Sequence, residues 1–267
     1  MSKLVDGIEN FSVIDAHVHL DAGIQGGALV AARRLNTDLT DAGIARAVVL
    51  HLEVQPWSVE EVSEAIARCD RLVGFVNIHP NDPDCAGKLR RAVEDLGFVG
   101  LKLHPRLQKF DLGDERTCAL VNLAGEMGVP VVVDAFPDGD WLMMGFHPLL
   151  FARMACACPK TRIVLAHFGG HHCIDFMMLA KRNPNIYLDF SFSLLYYDIS
   201  SVRQNLMYCF KSMKYDRIFF GSDYPDRPVC SVLDASRKIM MEYGVPLESQ
   251  RKLFFENARN FFTWTDI

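Results

Sequence analysis

Eight short runs of apolar, largely β-branched residues recur along the chain, at 13–19, 46–52, 72–78, 99–104, 129–135, 162–167, 185–190 and 217–221. Most are continuous rather than alternating, the pattern of parallel strands covered on both faces. Longer amphipathic stretches lie between them. Helical periodicity runs over 84–96, 115–127, 147–158, 171–182, 202–213 and 229–243, and Ser58-Val59-Glu60-Glu61 is a capping box that opens a further helix. Pro159, Pro184 and Gly244 punctuate helix ends. Eight βα units in 267 residues predict an α/β chain folded as a (β/α)8 TIM barrel, one domain over residues 1–267, with 247–262 as a terminal helix packed on it. A doubly wound open sheet would favour a glycine-rich phosphate loop after the first strand, where His17-Val18-His19-Leu20-Asp21 stands instead.

The formal net charge is −5 and no basic tract or stripe is present, so nucleic acid is not expected as a partner. No apolar run is long enough to span a bilayer; that over residues 141–152 is short and carries His147 and Pro148. The first residues, Met1-Ser2-Lys3-Leu4-Val5-Asp6, are interrupted by charge and do not read as a signal peptide. A cytoplasmic protein whose eight scattered cysteines are reduced is the expectation.

In barrels of this kind the chemistry sits at the C-terminal ends of the strands, and the polar residues cluster there. The ends carry His17 and His19, His51 and Glu53, Asn77 and His79, Lys102 and His104, Asp134, His167, Asp189 and Ser191, and Asp223. Six of the nine histidines are in this set. His17 and His19, two apart on a strand, point to one face and make half of a divalent-metal site; the bland alternative is one capping and one packing histidine. His167 reads as a ligand or a catalytic imidazole. A buried Asp223 carboxylate needs a metal or a cation, unless it caps a short helix. Lys102 needs an anion: a substrate carboxylate, an aspartate within the barrel, or a carbamate. Asp134 either ligates metal or orients a histidine. Arg106 either clamps a substrate carboxylate or is a solvated loop arginine. His51, His79, His171 and His172 read as rim residues.

Together the motifs Ile14-Asp15-Ala16-His17-Val18-His19, Gly100-Leu101-Lys102-Leu103-His104-Pro105, Val164-Leu165-Ala166-His167-Phe168-Gly169-Gly170, Gly221-Ser222-Asp223-Tyr224-Pro225 and Glu256-Asn257-Ala258 resemble the amidohydrolase superfamily. The resemblance is to its amidohydrolase-related branch, which includes aminocarboxymuconate-semialdehyde decarboxylase, resorcylate decarboxylases and dicarboxylate lactonases. It implies one divalent metal ion, zinc or else manganese, held by His17, His19 and Asp223, with His167 as acid/base or alternative ligand. The family's strand-5 histidine is replaced by Asp134, whose oxygen would take that place, and some relatives use no metal. A second metal bridged by a carbamylated Lys102 is the lesser alternative.

The activity so implied is hydrolysis of a small carboxylate-bearing ester, lactone or amide by a metal-activated water. Asp223 or His167 would take the proton, and Lys102, His104 and Arg106 would form a cationic edge for the anionic substrate. Two alternatives stand beside it: a non-oxidative decarboxylase or lyase of the same branch, and a non-catalytic ligand-binding barrel. Barrels of this branch often dimerise, which makes a homodimer a further expectation.

Overall fold

The computed structural model describes residues 11–264. The Met1–Asp6 segment lies outside them, and so does part of the 1–267 span read as one domain. All eight expected strands form, as β1 (Val13–Val18), β2 (Ile44–Leu50), β3 (Leu72–Asn77), β4 (Gly100–Leu103), β5 (Val131–Val133), β6 (Ile163–Leu165), β7 (Ile186–Asp189) and β8 (Ile218–Phe219). They pair in parallel, each with the next in the chain. β8 is only two residues long, yet the sheet nearly closes. Ala16 N donates to Phe220 O (2.9 Å), His19 N to Tyr224 O (2.7 Å) and Asp223 N to His17 O (2.9 Å). The chain is a (β/α)8 TIM barrel.

Two apolar layers follow from the strands' alternation. Val13, Val49, Val76, Leu101, Leu103, Val131, Val133, Ile163, Leu165, Ile186 and Leu188 face outward under the helices. Ile14, Ala16, Val48, Leu50, Phe75, Val132, Val164, Ala166 and Phe219 fill the barrel interior. The expected helices are present within a residue or two, including Val59–Ala67 with its full Ser58–Glu61 capping box. The short helices Pro105–Gln108, Gly139–Met143 and Ser193–Tyr196 and one long helix, Ala28–Asp41, were not expected from the sequence. The long helix buries Ala28, Ala31, Ala32, Leu35 and Leu39, an i, i+3, i+4, i+7 stripe that the preceding Gly26-Gly27 disguises as loop.

The terminal segment is not one regular helix. It runs as Leu247–Arg251, a π-helical turn Lys252–Glu256, and Asn257–Phe262. Phe255, Ala258 and Phe261 join the interior cluster, so this segment plugs the barrel end opposite the strands' C-termini. Leu253 O accepts from Phe220 N (3.0 Å), and Asn257 Nδ2 donates to Tyr215 O (2.7 Å) and Ile218 O (2.9 Å). All eight cysteines are free, and among the described residues no helix is long and apolar enough to cross a membrane.

Candidate active site

Ile14 and Ala16 already face the barrel interior. Strict alternation would therefore turn His17 and His19 outward. A register irregularity between Asp15 and Val18 reverses this. The His17 and His19 rings then lie 5.2 Å apart, edge to face, at the mouth of the barrel.

Their hydrogen bonds assign their tautomers. His19 Nδ1 is 2.6 Å from the carbonyl oxygen of Leu50, which can only accept, so Nδ1 carries the proton. His17 Nδ1 is 3.1 Å from Asp189 Oδ2 and likewise donates. Each Nε2 is left with a lone pair. Both lone pairs point at one oxygen, Asp223 Oδ1, at 3.3 Å from His17 and 3.5 Å from His19. His17 Nε2 is buried with no hydrogen-bond partner. Three acceptors converging without a donor repel one another unless a cation lies between them. A divalent metal ion therefore fits His17, His19 and Asp223. Burial pushes the His17 imidazole down to about 4, which keeps it a neutral ligand. Burial works against the charge on Asp223, but the nearby His167 charge favours it, and the carboxyl lies well below the usual range. Asp223 itself sits in left-handed backbone (φ 58°).

His167 occupies a second left-handed turn. His167, Phe168, Gly169 and Gly170 all have positive φ (60°, 53°, 69° and 56°), at a cost on the order of 1 kcal/mol for each non-glycine. The turn aims the ring back over the barrel. Nδ1 lies 3.1 Å from Ser191 O, and Nε2 lies 3.2 Å from Asp134 Oδ1. Both are acceptors, and the imidazolium is the form of the ring that suits them. Burial alone would lower its pKa, but the Asp134 carboxylate pushes it up to about 9. Phe136 and Phe192 stand edge-on to the ring, at 5.8 and 6.1 Å.

Asp134 is not among the three converging donors. It lies against cations: His167, Arg106 (Nε 3.7 Å from Oδ2) and, electrostatically, Lys102. Burial raises its pKa, but His104, His167 and Lys102 more than offset that, and the carboxyl lies well below the usual range. His104 Nδ1 is 3.5 Å from Asp134 Oδ2 but accepts from Leu107 N, so no proton lies between them. Burial pushes His104 down to about 3, and it is neutral, not part of a cationic edge. Lys102 is fully buried inside the barrel, where burial lowers its pKa against the pull of Asp134, Asp189 and Asp223. Arg106 donates from NH1 to Asp138 Oδ2 (2.6 Å) and remains partly exposed at the mouth.

The remaining strand-end groups hold one another. Gln108 Oε1 accepts from Asn77 Nδ2 and His104 N while its Nε2 donates to Glu53; Glu53 Oε1 accepts from His79 N. His51 Nδ1 accepts from Asn77 N. His171 and His172 lie on the rim beside Tyr197 and Asp175. Four residues gain roles that sequence reasoning had not assigned. Asp15 Oδ1 accepts from His17 N (3.1 Å) and Ser222 N (2.9 Å), tying the first strand to the Asp223 turn; burial raises its pKa to about 7. Asp189, Ser191 and Ser193 surround His17 and His167. The sequence marked Asp189 and Ser191 by position only, and nothing short of the turn geometry marks Ser193.

Comparison with known proteins agrees with the fold. Three solved structures of the same fold illustrate it. A probable 2-pyrone-4,6-dicarboxylic acid hydrolase from Acinetobacter baumannii, with citric acid bound, has a TM-score of 0.69 at 16% identity over 95% of this chain and 100% of that one. An amidohydrolase from Burkholderia multivorans with bound zinc has 0.70 at 13% identity, over 95% and 99%. A 5-carboxyvanillate decarboxylase from Novosphingobium aromaticivorans, complexed with manganese and 4-hydroxy-3-methoxy-5-nitrobenzoic acid, has 0.62 at 15% identity, over 96% and 96%. No curated protein sequence matches significantly. The amidohydrolase family model matches residues 14–264, and the chain belongs to that family.

Proposed function

We propose that the chain is a metal-dependent hydrolase of a small, anionic ester, lactone or amide. The observation that carries this reading is the convergence of the unprotonated His17 and His19 Nε2 atoms on one oxygen of Asp223. Two imidazoles and a carboxylate are a donor set for zinc or manganese. The zinc and manganese in similar structures support the same metals here. When bound, such a cation supplies Lewis acidity that polarises a carbonyl and brings the pKa of a water towards neutrality.

The chain's own residues do the rest. Asp223, kept ionised, accepts the proton of the attacking water. His167, protonated by its two acceptors, donates a proton to the leaving oxygen or nitrogen. Lys102 and Arg106 draw the substrate carboxylate, Arg106 from the mouth with its planar fork. Phe136 and Phe192 keep water from the His167 ring.

The state of His167 also favours a second reading, non-oxidative decarboxylation. Departure of CO2 leaves a carbanion that needs a proton donor, and an imidazolium is one. Metal content is measured on protein purified without chelator, for wild type and for His17→Ala/His19→Ala. Small carboxylated esters, lactones and amides are then screened with CO2 detection. About one equivalent of metal, lost in the double variant, with turnover and no CO2, is the expected result. Released CO2 selects the second reading; turnover without metal overturns the metal mechanism.

A further inference from the structure

The end of β7 holds both histidines of the site from behind. Asp189 Oδ2 accepts from His17 Nδ1 (3.1 Å), and Asp189 Oδ1 accepts from His167 N (3.1 Å) and Ser191 N (3.1 Å) and from the Ser191 hydroxyl. Ser191 O accepts from His167 Nδ1 (3.1 Å), and Ser193 Oγ donates to His167 O (2.5 Å). Thus alternate residues 189, 191 and 193 take the backbone N–H, the ring Nδ1 and the backbone carbonyl of His167. These are the contacts that keep His167 in its left-handed turn. His17 and His167 come from opposite parts of the chain, and Asp189 is bonded to both; the Ser191 hydroxyl, which donates to Asp189 Oδ1, also lies 3.1 Å from the Nδ1 of each ring.

We infer that Asp189 is a positioning residue for both histidines. It fixes the His17 tautomer so that the Nε2 lone pair faces Asp223, and it clamps the turn that aims His167. The first half rests on the metal-site reading above. The second does not. Every hydrogen bond that Asp189 makes is one it accepts, on both oxygens. An asparagine has one accepting oxygen, so its NH2 group would face either His17 Nδ1–H or His167 N–H. The isosteric Asp189→Asn therefore breaks one side whichever way the amide turns.

The test uses two readouts that a merely structural carboxylate would not move. The first is the imidazole tautomer, read by 15N NMR on the metal-free protein. The second is Co2+ affinity, with the visible spectrum of the Co2+ form. In wild type His17 is expected as the Nδ1–H tautomer. In Asp189→Asn the His17 or the His167 signals change, and Co2+ binds about 10–100-fold more weakly with an altered spectrum where His17 is the side that breaks. Ser193→Ala, which touches only His167, leaves Co2+ affinity and the His17 tautomer unchanged. An Nε2–H tautomer of His17 in wild type overturns the inference, and that result needs no variant to fold. So does an Asp189→Asn protein with wild-type ring signals and wild-type Co2+ affinity. Wild type that binds no Co2+ overturns the metal reading instead, and the ring signals then decide the role of Asp189 by themselves.

Discussion

Asp134 Oδ1 lies 3.2 Å from His167 Nε2, on the far side of the ring from the Ser191 carbonyl. The carboxylate therefore faces His167 Nε2 and favours a proton there, and the role proposed for His167 is that of an acid. An acid of this kind works only below its pKa, about 9 in this setting. Replacing Asp134 by Asn removes the group that raises it. The alkaline limb of the pH–rate profile is expected to move down from about 9 towards the ordinary histidine range. With the pKa returned to about 6.5, only about 3% of His167 is protonated at pH 8, so turnover there should fall up to about 30-fold. A profile with an unchanged alkaline limb would show that His167 is not the acid.

Stability of the metal-free protein should peak near pH 6.5. His167, with a folded pKa of about 9 against 6.5, contributes stability that is complete below 6.5 and is lost as pH rises through 9. His17 and His51 at about 4 and His104 at about 3 contribute stability that is complete above 6.5 and is lost as pH falls through those values. Asp15, raised to about 7, acts in the opposite sense and offsets one of the three. Urea unfolding at pH 5, 6.5 and 8.5 measures this; a midpoint that rises steadily from pH 5 to 8.5 contradicts it.

Gly221 packs where no side chain fits. A Cβ there would lie 2.6 Å from His17 Cβ and 2.9 Å from Ser191 Cβ. Gly221→Ala must push the strand carrying His17 away from the strand-7 end. Destabilisation of about 1–3 kcal/mol is expected, together with weaker metal binding, read by calorimetric titration. An alanine variant with wild-type metal affinity would mean that the two elements can separate without moving the His17 ring.

Arg106 reaches the mouth while tied to Asp138 and lying near Asp134. If it grips the substrate carboxylate before and during the reaction alike, Arg106→Ala raises KM with kcat little changed. A charged hydrogen bond of about 1.5–3 kcal/mol corresponds to roughly 10–150-fold. Steady-state kinetics on any identified anionic substrate decides this; a loss confined to kcat places Arg106 at the reacting atoms instead.

Phe261 is buried under the barrel against Phe219 and Tyr187, at centroid distances of 5.1 and 4.5 Å. Phe261→Ala should cost about 3–5 kcal/mol by leaving a cavity there. Because the site lies at the other end, metal affinity should hold. Thermal unfolding and metal titration on the same variant separate the two effects.

The barrel was legible in the chain because its strands are long apolar runs with polar ends, a pattern that burial on both faces imposes. The pairing of His17 and His19 was legible for a weaker reason. Their spacing matched a strand's period, although the inward direction came from an irregularity that spacing does not reveal. The expected cationic edge of Lys102, His104 and Arg106 depended on burial that the sequence does not show. Burial lowers the pKa of both Lys102 and His104, and only Arg106 remains partly exposed at the mouth. Asp134 could be read as a ligand or as a partner for histidine, and only the positive-φ turn at His167 places the ring beside it. Ser193 was invisible, because its single functional bond goes to a carbonyl that this same turn redirects.

The plug of Phe255, Ala258 and Phe261 has a consequence for how the molecule is made. These residues follow all eight strands in the chain, yet they complete the interior that the first strand lines with Ile14 and Ala16. A nascent chain leaving the ribosome therefore exposes every strand before the piece that closes them. Until that piece emerges, the barrel has a wet, open floor and β8 lacks the partners at Leu253 and Asn257. Folding of the early βα units can begin during synthesis, but the native core must wait until residues 253–261 have emerged, and that interval is when a chaperone would find this protein.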